Sequence, residues 1–178
     1  FANNYIGGQP TGSPELPGNT IAGNAGNGVS VIGARAVGNT IQGNSIHSNG
    51  MLGIDLAANG ITGKDFKDVD AGPNELQNAP FVVPVVRLDG KYELVGTLHS
   101  TPESAFRIEF FANDFADPSG FGEGQTLIGF LDNVTTNVDG DALFTFQPAE
   151  RPAKGFITAT ATNLAGNTSE YSCGTPAA

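Results

Sequence analysis

Asn39-Thr40-Ile41-Gln42-Gly43-Asn44 repeats Asn19-Thr20-Ile21-Ala22-Gly23-Asn24 after twenty residues, and Asn3-Asn4-Tyr5-Ile6-Gly7-Gly8 is an earlier relative of both. Between these units lie Gly28-Val29-Ser30-Val31-Ile32 and Gly53-Ile54-Asp55-Leu56, short alternating strands led by glycine. A period near twenty, built of very short strands with Asn and Gly corners, is the pattern of a β-solenoid. Each coil places Ile, Val and Leu inside, and its corners need left-handed backbone angles that Gly and Asn reach cheaply. Asn side chains at equivalent corners can also bond one another from coil to coil. Residues 1–60 are therefore expected to form two or three parallel coils, with the two Asn-Thr-Ile segments stacked one above the other. So few coils cannot bury their own faces. This half must end a longer tube or lean on something, and the start at Phe1 inside a repeat reads as a piece of a longer chain.

Outward from the coils the period changes. Residues 61–79 dissolve into Gly, Asp, Lys and Pro and read as an exit loop or linker. After Pro80, strand-like runs follow at 81–88, 91–99, 105–112, 126–134, 142–147, 155–163 and 169–173, separated by Asp89-Gly90, Asn113-Asp114, Asp139-Gly140 and Ala165-Gly166-Asn167. Phe106, Ile108 and Phe110 alternate with Arg107 and Glu109, the pattern of a half-buried strand. About seven such strands fit an antiparallel, immunoglobulin-like sandwich over residues 80–178. The fold expected is all-β: a short right-handed parallel β-helix followed by that sandwich.

Composition agrees and narrows the function. Gly numbers 25 among 178 residues and charged residues make up only 15%, which suits turns and short strands better than long helices. A net charge of −10 argues against a nucleic-acid backbone or an anionic membrane surface as partner. The single cysteine, Cys173, excludes an internal disulfide and any multi-Cys metal site, leaving a free thiol or a bond to another chain. No apolar run approaches the ~20 residues of a membrane-spanning helix.

The stretches Asn39 to Ile46 and Ser48-Asn49-Gly50-Met51-Leu52-Gly53-Ile54-Asp55-Leu56 resemble the final coils of large bacterial right-handed parallel β-helix repeat proteins. Gly72-Pro73-Asn74-Glu75-Leu76-Gln77-Asn78-Ala79-Pro80 resembles the join those proteins carry into a C-terminal sandwich. The segments from Arg107 to Asn113, Asp117 to Thr126 and Ile157 to Ser172 resemble the sandwich itself. The resemblance implies a secreted or surface-displayed multidomain protein, and it implies no chemistry, because adhesins, stalks and polysaccharide-active enzymes share the architecture. Members often carry a Cys immediately before the Asp-Pro-Ser-Gly segment and another near the C-terminal end. Here Ala116 stands at the first position and Cys173 is alone.

Candidate site residues are few. Asp65, Asp68 and Asp70 offer oxygens for Ca²⁺, although the spacing is not an EF-hand and a solvated linker is the alternative. Phe115 and Phe121, in the Gly-rich loop 113–125, are the aromatics best placed for a glycan ligand. Outward groups in the coils are Asp55, His47 and the loop residue Glu15, and a pair of carboxyl groups at ~5–10 Å would be needed for glycoside hydrolysis. No nucleophile elbow, phosphate loop or His-Glu metal motif is present. The first expectation is a non-catalytic structural or adhesive module whose partners are preceding coils or stacked neighbouring subunits. The alternatives are a carbohydrate-binding module and, weakest, an enzyme with its site on the coils.

Overall fold

The computed structural model describes residues 2–8, 18–153 and 155–177 and is all-β. Six three-residue strands come first: β1 (Tyr5–Gly7), β2 (Thr20–Ala22), β3 (Val29–Val31), β4 (Thr40–Gln42), β5 (Ser45–His47) and β6 (Ile54–Leu56). Seven more follow: β7 (Phe81–Val86), β8 (Tyr92–His99), β9 (Ala105–Asn113), β10 (Thr126–Thr135), β11 (Asp141–Phe146), β12 (Phe156–Asn163) and β13 (Thr175–Pro176). The short strands pair in parallel as β1–β4, β2–β5 and β3–β6. The later strands form two antiparallel sheets, ordered β10-β9-β12-β13 and β11-β8-β7.

The register corrects one expectation. The two Asn-Thr-Ile segments do not stack: Thr20 lies beside Ser45, and Thr40 beside Tyr5. The side-chain amides give the reason. Asn19 and Asn24 bond Asn44 and Asn49 across 25 residues, while Asn4 bonds Asn39, and Asn39 bonds Asn74, across 35. The true unit is Asn-x-Ile, found at Asn4, Asn19, Asn39 and Asn44, and it opens β1, β2, β4 and β5. A recurrence of twenty links β2 to β4, which belong to different parallel pairs. The interval varies because the connection from β1 to β2 is longer than that from β4 to β5.

Two cores result. One lies between the antiparallel sheets and holds Val82, Leu94, Leu98, Phe106, Ile108, Phe110, Phe144 and Ile157. The other combines Val31, Ile41, Ile46, Ile54 and Leu56 of the short parallel strands with Phe111 and Tyr171 from the C-terminal half. β9 therefore faces both cores. Phe106, Ile108 and Phe110 point to one, Phe111 to the other, and Glu109 is only 1% exposed. The half-buried strand expected from its alternation is covered on both faces, because its polar face lies against the short parallel strands. The segment 61–79 is not a free tether either: Asn74 is fully buried and bonds Asn39, just ahead of β4.

Candidate functional site

In a parallel strand, alternate residues direct N–H and C=O to opposite neighbours, so the outermost coil of a stack presents a row of unpaired groups. The segment 37–57, expected from the sequence as a second coil, carries β4, β5 and β6 and pairs on one side with β1, β2 and β3. On its other side the missing neighbour is replaced by groups from the C-terminal half. The backbone N–H of Gly38 donates to Asn167 Oδ1 at 2.6 Å, that of Ile41 to Thr168 Oγ1 at 2.9 Å, and that of Gly43 to Glu109 Oε2 at 2.9 Å. Ile46 exchanges both backbone bonds with Gly124, at 2.8 and 2.7 Å. Asn49 donates its N–H and its Nδ2 to Glu123 Oε1 at 3.0 and 2.8 Å, and Leu56 N–H donates to Glu170 Oε1 at 2.9 Å.

Glu123 imitates the ladder itself. Asn24 gives its N–H and Nδ2 to Asn49 Oδ1, and Asn49 gives the same two donors to Glu123 Oε1. A carboxylate oxygen thus stands where a third Asn would stand. Close approach is secured by glycine: a Cβ on Gly124 would lie 2.4 Å from the Tyr171 hydroxyl, and one on Gly53 would lie 2.9 Å from the Tyr171 ring. Tyr171 in turn meets Phe111 edge-on, with centroids 5.3 Å apart, over the apolar interior of the coils.

Three carboxyl groups, Glu109, Glu123 and Glu170, are 1, 9 and 7% exposed. Burial pushes Glu109 and Glu170 above the usual carboxylate range, opposed by the N–H groups that donate to them. Glu109 also pairs with Arg107 at 3.1 Å, whose guanidinium lies over the Phe130 ring and bonds Asp132. Glu123 and Glu170 have no cationic partner among the described residues and are held by N–H and O–H donors.

The residues singled out from the sequence fall elsewhere. Asp65, Asp68 and Asp70 do come together, each offering an oxygen within 4.8 Å of the others. Most of those oxygens already accept hydrogen bonds: Asp65 Oδ2 from the Val69 and Asp70 N–H groups, Asp68 Oδ1 from Asn78 N–H, and Asp68 Oδ2 from Gln77 Nε2 and the Ser100 hydroxyl. Burial raises the Asp68 carboxyl to about 6. Asp70 Oδ1 is buried without a partner among the described residues.

Phe115 is 85% exposed beside a cleft of about 170 Å³ lined by His47, Asn49, Asp117, Glu123 and Gln125. Phe121 does not join it. It is half-buried, bridges Cys173 through its backbone, and lines a separate cavity with Leu76 and Tyr171. Asp55, expected to face outward into solvent, is 1% exposed, because the turn after β6 folds over it and donates the Asn59 and Gly60 N–H groups. The His47 ring bonds only Ser48 among the described residues, and Glu15 lies outside them. Cys173 is a half-buried free thiol.

The sequence reading missed Glu109, Glu123, Glu170 and Tyr171. The available signals were a carboxylate flanked by glycines, Gly122-Glu123-Gly124, and one set between apolar neighbours in β9. Among the described residues no helix is long and apolar enough to cross a membrane. No family model and no curated protein matches the chain.

Proposed function

We propose that the C-terminal sandwich is the terminal cap of a right-handed parallel β-helix, and that the chain serves a secreted or surface-displayed bacterial protein as a non-catalytic structural or adhesive module. The observation that carries this reading is the row of backbone donors on the second coil, each met by an acceptor from the sandwich or its approach. A solenoid end without such acceptors is a template for edge-to-edge aggregation. The Asn ladders at 25- and 35-residue spacing support the β-helix. The net charge of −10 and the resemblance of the terminal coils support a secreted setting.

Amide exchange with two Glu123 variants tests the cap. The N–H groups of Ile41, Ile46 and Leu56 should exchange as slowly as those of β9. Glu123→Ala leaves the Asn49 N–H unmatched and removes one of the acceptors of its Nδ2, and should cost about 1–3 kcal/mol, whereas Glu123→Gln keeps an oxygen in place and should cost less. Fast exchange at those amides, or equal loss in the two variants, would defeat the reading.

A second reading has one observation in its favour, the exposed Phe115 ring beside a cleft lined by both polar and apolar groups. A pyranose ring could stack on Phe115 while Asp117 and Gln125 bond its hydroxyls, making the module carbohydrate-binding. Retardation in polysaccharide-containing gels that disappears in Phe115→Ala would establish it. Unretarded migration of the wild type in every gel would dismiss it.

A further inference from the structure

We infer that the free edge of the first coil is a directional docking surface. It fits one kind of partner, a parallel coil whose Asn corners still carry free N–H and Nδ2 donors, and it does not fit a second copy of this chain. The inference rests on the cap reading, since the cap is what makes the two ends differ.

Three observations define the surface. The Asn4 and Asn19 carbonyls accept the Thr40 and Ser45 N–H groups, so the next residues, Tyr5 and Thr20, turn their own N–H and C=O away from the second coil. Among the described residues, β1, β2 and β3 have no neighbour on that side. The interior is also incomplete there. Ile6, Ile21 and Val29 stack on Ile41, Ile46 and Ile54; the latter three are 3, 0 and 1% exposed, while the first three remain half-buried. The rim formed by residues 2–8 and 18–32 contains no Lys, Arg, Asp or Glu, the side chains that ordinarily protect an edge left open to water.

The amide ladders set the direction. In each ladder the Oδ1 of an Asn accepts from the N–H or Nδ2 of the coil before it. Asn4, Asn19 and Asn24 of the first coil offer Oδ1 groups that accept nothing among the described residues. A partner must bring the matching donors. A second copy cannot, head to tail, because the matching side of its second coil is covered: the Asn39 and Asn49 donors go to Asn74 and Glu123, and the Ile41, Gly43 and Leu56 N–H groups go to Thr168, Glu109 and Glu170. It cannot head to head either, because its Asn19 and Asn24 donors are spent on its own Asn44 and Asn49.

The test extends the chain by one coil. A copy of residues 37–57 followed by a copy of residues 33–36, placed ahead of Ala2, continues the observed register. Exchange at the Tyr5, Thr20 and Ser30 amides should slow by tenfold or more in the extended chain. Unchanged exchange there, with Ile41, Ile46 and Leu56 still protected, overturns the inference and spares the cap. Loss of protection at those three residues in the original chain overturns the cap reading itself. Sedimentation of the original chain gives a result independent of whether the extension folds. A monomer at all concentrations supports the inference, and dimers or fibres that protect Tyr5 and Thr20 overturn it.

Discussion

Asp68 shows how a single carboxyl group can link the approach segment to solution pH. It sits between Asn78, Gln77 and Ser100, and burial raises it from the ordinary 3.8 to about 6, helped by the negative charges of Asp65 and Asp70. Between those two values the folded chain keeps a proton that the unfolded chain has released. Stability should therefore fall as pH rises from about 4 to about 6.5, and this contribution should be flat above. Melting temperatures across that range should show the decline, and Asp68→Asn should flatten it. An identical slope in the variant would assign the decline to other groups. The same residue bears on calcium. Asp65 and Asp68 already spend their oxygens on N–H and O–H donors, so melting with calcium and with a chelator should coincide. A rise of several degrees with calcium would instead place the ion among Asp65, Asp68 and Asp70.

Elements of this fold were legible to different degrees, for physical reasons. The short strands and Asn corners could be read because Asn-x-Ile joins a corner-forming amide to an inward apolar residue, and each recurrence marks a face. The coil register could not, because a recurrence of twenty residues competes with true intervals of 25 and 35 set by connections of unequal length. Strands β7 to β12 followed from their alternation, whereas the run expected at 169–173 is not a strand and the last one, β13, lies at Thr175–Pro176. The packing of β9 and its neighbours on β4–β6 did not follow, because Arg107 and Glu109 look like a wet face unless a second layer is known to lie against it. At the centre of that layer, Gly124 joins its own loop to β5 through the Ile46 bonds, with Tyr171 packed where a side chain would go. Gly124→Ala should destabilise the chain by about 1–3 kcal/mol, the range expected for overpacking, whereas Gly120→Ala places its Cβ in open space and meets only the strain of a positive φ. Chemical denaturation of the two variants compares them, and a neutral Gly124→Ala would mean that the loop and Tyr171 separate readily.

For the whole molecule, the question is whether coils and sandwich unfold as one body or two. The paired three-residue strands β1–β6 bury too little to stand alone, and their apolar cluster is completed by Phe111 and Tyr171, which belong to the other half. β9 carries Phe110 into the sandwich core and Phe111 into the coil core, so one strand belongs to both. Separating the halves would expose the coil interior and leave the donors of Gly38, Ile41, Gly43, Asn49 and Leu56, and the acceptors of Glu109, Glu123 and Glu170, to find water instead. Such coupling favours a single cooperative transition. Phe111→Ala is the discriminating variant, because its ring touches the coil core while its strand builds the sandwich. If the halves are one unit, the variant should lose about 3–5 kcal/mol with a single transition retained, whether followed at coil amides or at sandwich amides. If they are separable, the coil amides of Ile41 and Ile46 should lose protection at a lower denaturant concentration than those of Ile108 and Ile157. Residue-resolved exchange across a denaturant series reads both sets in one sample, and a split between them would show that the cap grips the coils less tightly than the sandwich grips itself.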